Sequence, residues 1–114
     1  MFSRKMWMSL QTIAKFQPGR VLDGHVHDVL GWPEPIWPYS THPNAKGRLR
    51  EWLKERRATV SLPGQGRASD DCVVLVAGFR HAFEAVTESH ALCLGVLFVR
   101  YLLEDGRKIK MGHW

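Results

Sequence analysis

The chain has 114 residues, of which 45% are hydrophobic, and it carries a formal net charge of +5 at neutral pH. That length suits one domain around one core, and the apolar content excludes wholesale disorder, while the charge favours acidic partners without choosing among nucleic acid, an anionic membrane and an acidic protein surface. The longest apolar run, Ala91 to Val99, covers about half of the roughly 20 residues that a bilayer-spanning helix needs, so no membrane span is expected.

The start of the chain, Met1 to Met8, contains basic residues but is not expected to be a signal segment, since Gln11 and Lys15 interrupt the apolar residues that follow. We therefore expect a cytoplasmic protein. In a reducing compartment Cys72 and Cys93 are expected to remain reduced and partly buried, and their spacing is not that of a metal site.

Apolar residues at helical spacing predict two helices before residue 31. The first, over residues 3–16, has Ser3 as its cap. The second is shorter, with Asp23 capping its first turn and Gly31 ending it. The apolar stripes are Phe2, Met6, Leu10 and Ile13 in the first helix and Leu22, Val26, Val29 and Leu30 in the second.

A connector rich in proline and tryptophan is predicted from Gly31 to Tyr39. Each proline removes an amide donor and pushes the preceding residue towards extended angles, so no helix can continue here. We expect its aromatic side chains, Trp32, Trp37 and Tyr39, to fold back and cap the core. Docking of a partner on them is the alternative.

An amphipathic helix is predicted over residues 46–57, with Leu49, Trp52 and Leu53 on its apolar side. Its cations make it the best nucleic-acid candidate in the chain, because clustered cations release counterions from phosphates. Acidic residues on the same helix moderate that charge, and a groove-reading helix would follow a companion helix across a short turn. A solvated surface helix is therefore favoured and nucleic-acid binding is the alternative. The residues that would carry the alternative are Arg48, Arg50, Arg56 and Arg57.

Two further helices are predicted after a glycine- and proline-rich break at residues 61–67. The first covers residues 70–86, preceded by Ser69 as a cap and begun by two acidic residues. The second covers residues 89–104. Part of both segments is rich enough in β-branched residues to form strands, notably 73–76 and 96–99, but length and capping favour helices.

The predicted helix over residues 89–104 is apolar around nearly its whole circumference, so it must be buried on several sides. It is either the central core helix or partly covered by another chain. Ala91 and Gly95 would allow close approach of a neighbouring helix, within the monomer or across a dimer. Gly106 suits the position after this helix. The expected fold class is mainly α: one small compact helical domain, residues 1–114, with the proline- and tryptophan-rich connector.

The local clusters that look chemical have simpler interpretations. Two imidazoles flanked by carboxylates, in the segment 23–28, could in principle hold a metal, but on a helix His25 and His27 point about 200° apart, so surface histidines are favoured. His90 and Cys93 lie three apart, like a base and a nucleophile, yet burial would make that thiol inert. We therefore expect no catalytic residue, no metal site, no cofactor and no enzyme activity.

The segment Ala77-Gly78-Phe79-Arg80-His81-Ala82-Phe83-Glu84-Ala85 and the apolar helix after it resemble the QslA family of small antiactivators of the quorum-sensing receptor LasR. Chain length, helical layout and the tryptophan-rich first half are similar as well. The resemblance implies a cytoplasmic homodimer that binds the ligand-binding domain of a LasR-type regulator. It further implies that this binding blocks receptor dimerisation and so prevents DNA binding.

Such an antiactivator needs a contact surface and no catalysis, because a receptor that binds DNA as a dimer loses affinity when its monomers are sequestered. We expect the apolar helix to supply that contact, since interface centres favour desolvated aliphatic and aromatic anchors. Which of its faces meets the partner and which the core stays open at this point. The candidate partner-binding residues are Leu92, Val96, Phe98, Val99, Leu102 and Leu103.

Overall fold

A computed structural model of the chain describes residues 9–61, 71–76, 79–85 and 87–105. Helices provide most of the regular structure of this described part, so the fold is mainly α in that coarse sense. Three strands accompany them. In chain order the elements are α1 (Leu10–Lys15), α2 (Arg20–Leu30), a single 3-10 turn (Pro43–Ala45), α3 (Lys46–Glu55), β1 (Ala58–Ser61), β2 (Asp71–Val76), β3 (Phe79–Glu84) and α4 (Glu88–Asp105).

The helix predicted over residues 70–86 is wrong, because β2 and β3 form an antiparallel pair there, with Val74 opposite His81. β1 pairs antiparallel with the other side of β2, which gives a sheet of order β1-β2-β3. The physical reason is twofold. β2 is dominated by valines, which suit a pleated strand, and β3 alternates between a buried and an exposed side with the strand period of two.

Helix α4 lies at the centre of the fold, which is the first of the two interpretations that the sequence left open for it. It contacts the other three helices and all three strands, and every residue from Ser89 to Val99 is buried. At Gly95 an added Cβ would lie only 2.9 Å from Cγ2 of Val60 and 3.7 Å from Leu53. The close approach that Gly95 permits is therefore to β1 and α3 of the same chain.

The ends of the first two helices correct part of the prediction. α1 begins at Leu10, where the Ser9 hydroxyl accepts a hydrogen bond of 3.1 Å from the backbone N–H of Thr12; the predicted cap, Ser3, lies outside the described residues. α2 ends as predicted at Gly31, which adopts a left-handed φ of 69°. Asp23, however, does not cap α2, because its carboxylate accepts hydrogen bonds from Ser40, the residue after the connector.

α3 is confirmed, with an end two residues earlier than predicted. Its apolar side, formed by Leu49, Trp52 and Leu53, is buried as expected. The chain leaves this helix through Arg57, a non-glycine residue at a positive φ of 58°, and enters β1 directly. Gly106 and the basic residues after it lie outside the described part of the chain.

Candidate partner-binding site

The residues predicted to contact a partner from α4 lie in the core of the chain itself. Leu103 is half-buried, and the other five are at most 3% exposed. A partner cannot touch side chains that the same chain already covers, so this assignment of the contact surface is corrected. The five core residues are Leu92, Val96, Phe98, Val99 and Leu102.

Three of the four arginines of the nucleic-acid alternative contact acidic or aromatic groups of the same chain. Glu88, at the start of α4, forms ion pairs with both Arg50 and Lys46, the latter at 3.2 Å. The guanidinium of Arg48 lies 4.0 Å from the centre of the Trp32 ring and 3.5 Å from a carboxylate oxygen of Glu34. These contacts tie α3 to α4 and to the connector.

The end of α3 repeats this arrangement. The guanidinium of Arg56 lies 3.9 Å from the centre of the Trp52 ring, donates to the Trp52 carbonyl at 3.0 Å and pairs with Glu55. Burial lowers the pKa of Arg56 from its usual value. Arg57 is exposed. A phosphate approaching this helix would have to compete with internal partners for three of the four predicted arginines.

Residues 31–42, between α2 and the 3-10 turn, form neither helix nor strand and are held at their far end by a buried carboxylate. Asp23 of α2 is 4% exposed and accepts two hydrogen bonds from Ser40, one of 2.8 Å from the backbone N–H and one of 2.7 Å from the hydroxyl. The same hydroxyl accepts a bond of 2.8 Å from the N–H of Gly19, which precedes α2. The Ser40 side chain thus fixes the end of the connector to Asp23 and to the start of α2.

An aromatic cluster holds the connector a second time. Tyr39 is 2% exposed, and its hydroxyl shares a hydrogen bond of 2.8 Å with Nδ1 of His27 on α2. Trp32 packs edge-on against Tyr39 at 6.0 Å while Arg48 covers its face. Burial raises the pKa of Tyr39, which keeps the phenol neutral and able to donate. The expectation that connector aromatics cap the core is therefore confirmed for Tyr39.

Between these two attachments, residues 33–38 form the connector tip, and its described side chains are exposed. Ile36 is 57% exposed and Trp37 is 37% exposed, the latter with its ring 5.9 Å from that of His42. A tight turn closes the tip, since the N–H of Tyr39 donates to the Trp37 carbonyl at 2.8 Å and that of His42 to the Pro38 carbonyl at 2.8 Å. Two large apolar side chains are thus held out from a short, anchored segment.

Among the described residues, His25, His90 and Cys93 make packing and hydrogen-bonding contacts within the chain. His25 packs against Phe16 at 5.0 Å, and His90 donates from Nε2 to the Phe16 carbonyl at 2.8 Å. Burial raises the pKa of the Cys93 thiol well above its usual range, so the thiol stays protonated and unreactive. Among the described residues there is no cluster of three or more side chains that could hold a metal ion.

Comparison of the chain with protein families, with curated proteins and with solved structures finds no match. None of the helices in the described part of the chain combines the length and apolar character that crossing a bilayer requires. The connector tip is therefore identified by its geometry alone. The sequence did carry a signal for it: apolar residues such as Ile36 and Trp37 that stand between prolines lie on backbone that cannot form a helix.

Proposed function

We propose that the chain binds another protein through the connector tip. The observation that carries this proposal is the exposure of Ile36 and Trp37 on a segment that is fixed on both sides, through Trp32 and through Ser40. Tryptophan and large aliphatic side chains dominate the energy of protein interfaces when a partner desolvates them. A segment that is already ordered loses little entropy on binding, which raises affinity.

For the partner we propose the ligand-binding domain of a LasR-type quorum-sensing regulator, bound by a cytoplasmic homodimer of this chain. This part of the proposal is supported by the resemblance of residues 77–85 and the following helix to the antiactivator family. The mechanism needs no chemistry on this chain. A receptor monomer held at the connector tip is withdrawn from the dimer that binds DNA.

Nucleic-acid binding through α3 has less support. Arg48, Arg50 and Arg56 are engaged with acidic or aromatic groups of the chain, so counterion release on phosphate binding would be partly offset by the loss of these contacts. A weak, strongly salt-dependent affinity for duplex DNA is the most that this helix is expected to show.

The partner is tested by mixing the purified chain with the receptor's ligand-binding domain and measuring molar mass by light scattering during size exclusion. A mixed complex that contains receptor monomers is expected, with loss of the receptor dimer. An unchanged receptor dimer, at concentrations well above those of the cell, contradicts the choice of partner.

The connector tip is tested in the same experiment with two variants. Trp37→Ala and Ile36→Asp should each weaken the complex by about tenfold or more, because an anchor is lost or a charge is placed in a desolvated contact. Thr59→Asp, at an exposed position on β1, is the matched control and should bind as the wild type does. Equal affinity for all four proteins would contradict the tip as the contact.

The two parts of the proposal can fail separately. If the receptor does not bind, wild type and Ile36→Asp are compared as bait in a lysate. Proteins captured by wild type and by Thr59→Asp but lost with Ile36→Asp would retain the connector tip and replace the partner. Identical capture by wild type and Ile36→Asp would remove the tip as a binding surface.

A further inference from the structure

Strand β3 is an edge strand in the described part of the sheet. It pairs with β2 on one side only, and the order β1-β2-β3 leaves its other side without a strand. The unpaired amide and carbonyl groups along such an edge favour addition of another strand. Soluble proteins usually protect these edges with charges, prolines or bulges, and β3 contains no proline.

The charged residues of β3 are placed so that opposite charges face each other when two copies of the strand pair. Its outward side presents Arg80, Ala82 and Glu84, all exposed, whereas Phe83 is buried against α4. In an antiparallel pair with a two-fold axis at residue 82, Arg80 lies opposite Glu84 of the second copy, and this happens twice. Alanine, the small residue, falls on the axis itself.

The charge pattern of β3 favours this register over its neighbours. Opposite charges directly across an antiparallel pair of strands stabilise it and like charges destabilise it, so two Arg80–Glu84 pairs favour a two-fold axis at residue 82. Phe79, at 38% exposure, would in the same register lie opposite Ala85 of the second copy, which adds an apolar contact.

We propose that the β3 edge is the surface through which two copies of this chain associate, as one continuous six-stranded antiparallel sheet centred on Ala82. The assignment builds on the homodimer of the proposed function and is independent of the connector tip and of the receptor. In this dimer, main-chain hydrogen bonds join the two sheets, and the charges of Arg80 and Glu84 select the register of the two β3 strands.

Charge reversal tests the proposal on the full chain, with molar mass measured by light scattering over a dilution series. Arg80→Glu and Glu84→Arg should each weaken the dimer by about tenfold or more, because two opposite-charge pairs become two like-charge pairs. The double variant Arg80→Glu/Glu84→Arg restores opposite charges and should recover most of the affinity. Arg20→Glu, at an exposed position that begins α2, makes the same change in net charge as Arg80→Glu and should have little effect.

A second readout fixes the axis. Residues directly opposite in antiparallel strands have Cα atoms about 4.5–5.5 Å apart, which a disulfide can span. Ala82→Cys should therefore form a covalent dimer under mild oxidation, while the wild type and Ala14→Cys, a substitution at an exposed position on α1, should not.

The proposal is overturned by a chain that is monomeric throughout the dilution series, by a dimer indifferent to the single reversals, or by single losses that the double variant does not recover. If Arg80→Glu loses the dimer but still binds the receptor, the β3 edge and the connector tip are independent contact surfaces.

Discussion

Helix α4 and the connector are both rich in large apolar residues, and they end in opposite environments. Along α4 every residue from Ser89 to Val99 is buried, whereas the connector tip leaves Ile36 and Trp37 in solvent. The helix, which the sequence pattern left open as either core or contact surface, is the core. The segment expected mainly to cap the core presents the exposed apolar pair.

A high content of apolar residues thus predicts burial only where the backbone can satisfy its own hydrogen bonds. A helix satisfies its own amides and carbonyls, so other elements can surround it completely. A proline-containing segment cannot do so and must keep its backbone near water, since unpaired polar groups are costly to bury. Apolar side chains on such a segment that the core does not cover, such as Ile36 and Trp37, are therefore available to a partner.

The sharpest comparison is between truncations of similar size in the two regions. Leu97→Ala should lower the free energy of unfolding by about 3 kcal/mol, because Leu97 is fully buried and leaves a cavity. Ile36→Ala should lower it by less than about 0.5 kcal/mol, since Ile36 is 57% exposed. Urea denaturation followed by tryptophan fluorescence measures both. Similar losses in the two variants would contradict the assignment of core and surface.

The anchor of the connector is the next largest effect. Asp23→Ala removes the acceptor of the buried Ser40 N–H and the nearer of the two acceptors of its hydroxyl, and should cost about 2 kcal/mol. Asp28→Ala, an exposed acid on the same helix, is the matched control and should cost little. The same denaturation series measures both. If the Asp28 variant lost as much stability as the Asp23 variant, the anchor would have no special role.

A pH dependence of stability should arise from His90 in the core. Burial lowers the pKa of His90 below its usual 6.5, so between the two values the unfolded chain binds a proton that the folded chain does not. Stability from this group is thus present above pH 6.5 and is lost as the pH falls, by at most about 1.4 kcal/mol per pH unit.

The measurement for His90 is the free energy of unfolding between pH 7.5 and pH 5, compared with His90→Gln. The glutamine amide can still donate to the Phe16 carbonyl but does not titrate, so its slope should be smaller. Parallel slopes in the two proteins would show that other groups cause the acid sensitivity.

The sequence predicted the helices better than the sheet for a physical reason. In α3 the apolar residues recur at helical spacing over ten residues, and the apolar segment of α4 is, at eighteen residues, too long for an ordinary strand. The residues of β3 fit both a period of two and a helical spacing. The cap expected at Ser69 then favoured a helix, which is wrong. The strands are decided by pairing between distant segments, such as Val60 with Val74, which local periodicity does not contain.

The site was harder to predict than the fold. Prolines excluded a helix from the connector, but exposure of its tip depends on the contacts of Asp23 with Ser40 and of His27 with Tyr39, which join residues 17 and 12 positions apart. From the sequence, the acids and histidines of residues 23–28 were expected to be surface residues. Only the three-dimensional arrangement shows that these side chains hold the connector in place.

The smallest effect tests how tightly the core helix is packed, by adding one methyl group to each of two helical glycines. Gly24, in α2, has open space around an added Cβ, so Gly24→Ala should stabilise the chain by about 0.5–1 kcal/mol through helix preference alone.

At Gly95 the same methyl group meets Val60, whose branched side chain has little rotational freedom, at 2.9 Å. Overpacking of that kind costs about 1–3 kcal/mol and outweighs the helix preference, so Gly95→Ala should destabilise by about 1 kcal/mol. Thermal unfolding of both variants measures the opposite signs. Stabilisation by both would mean that β1 yields to α4, and that the centre of the fold is less tightly packed than the buried helix implies.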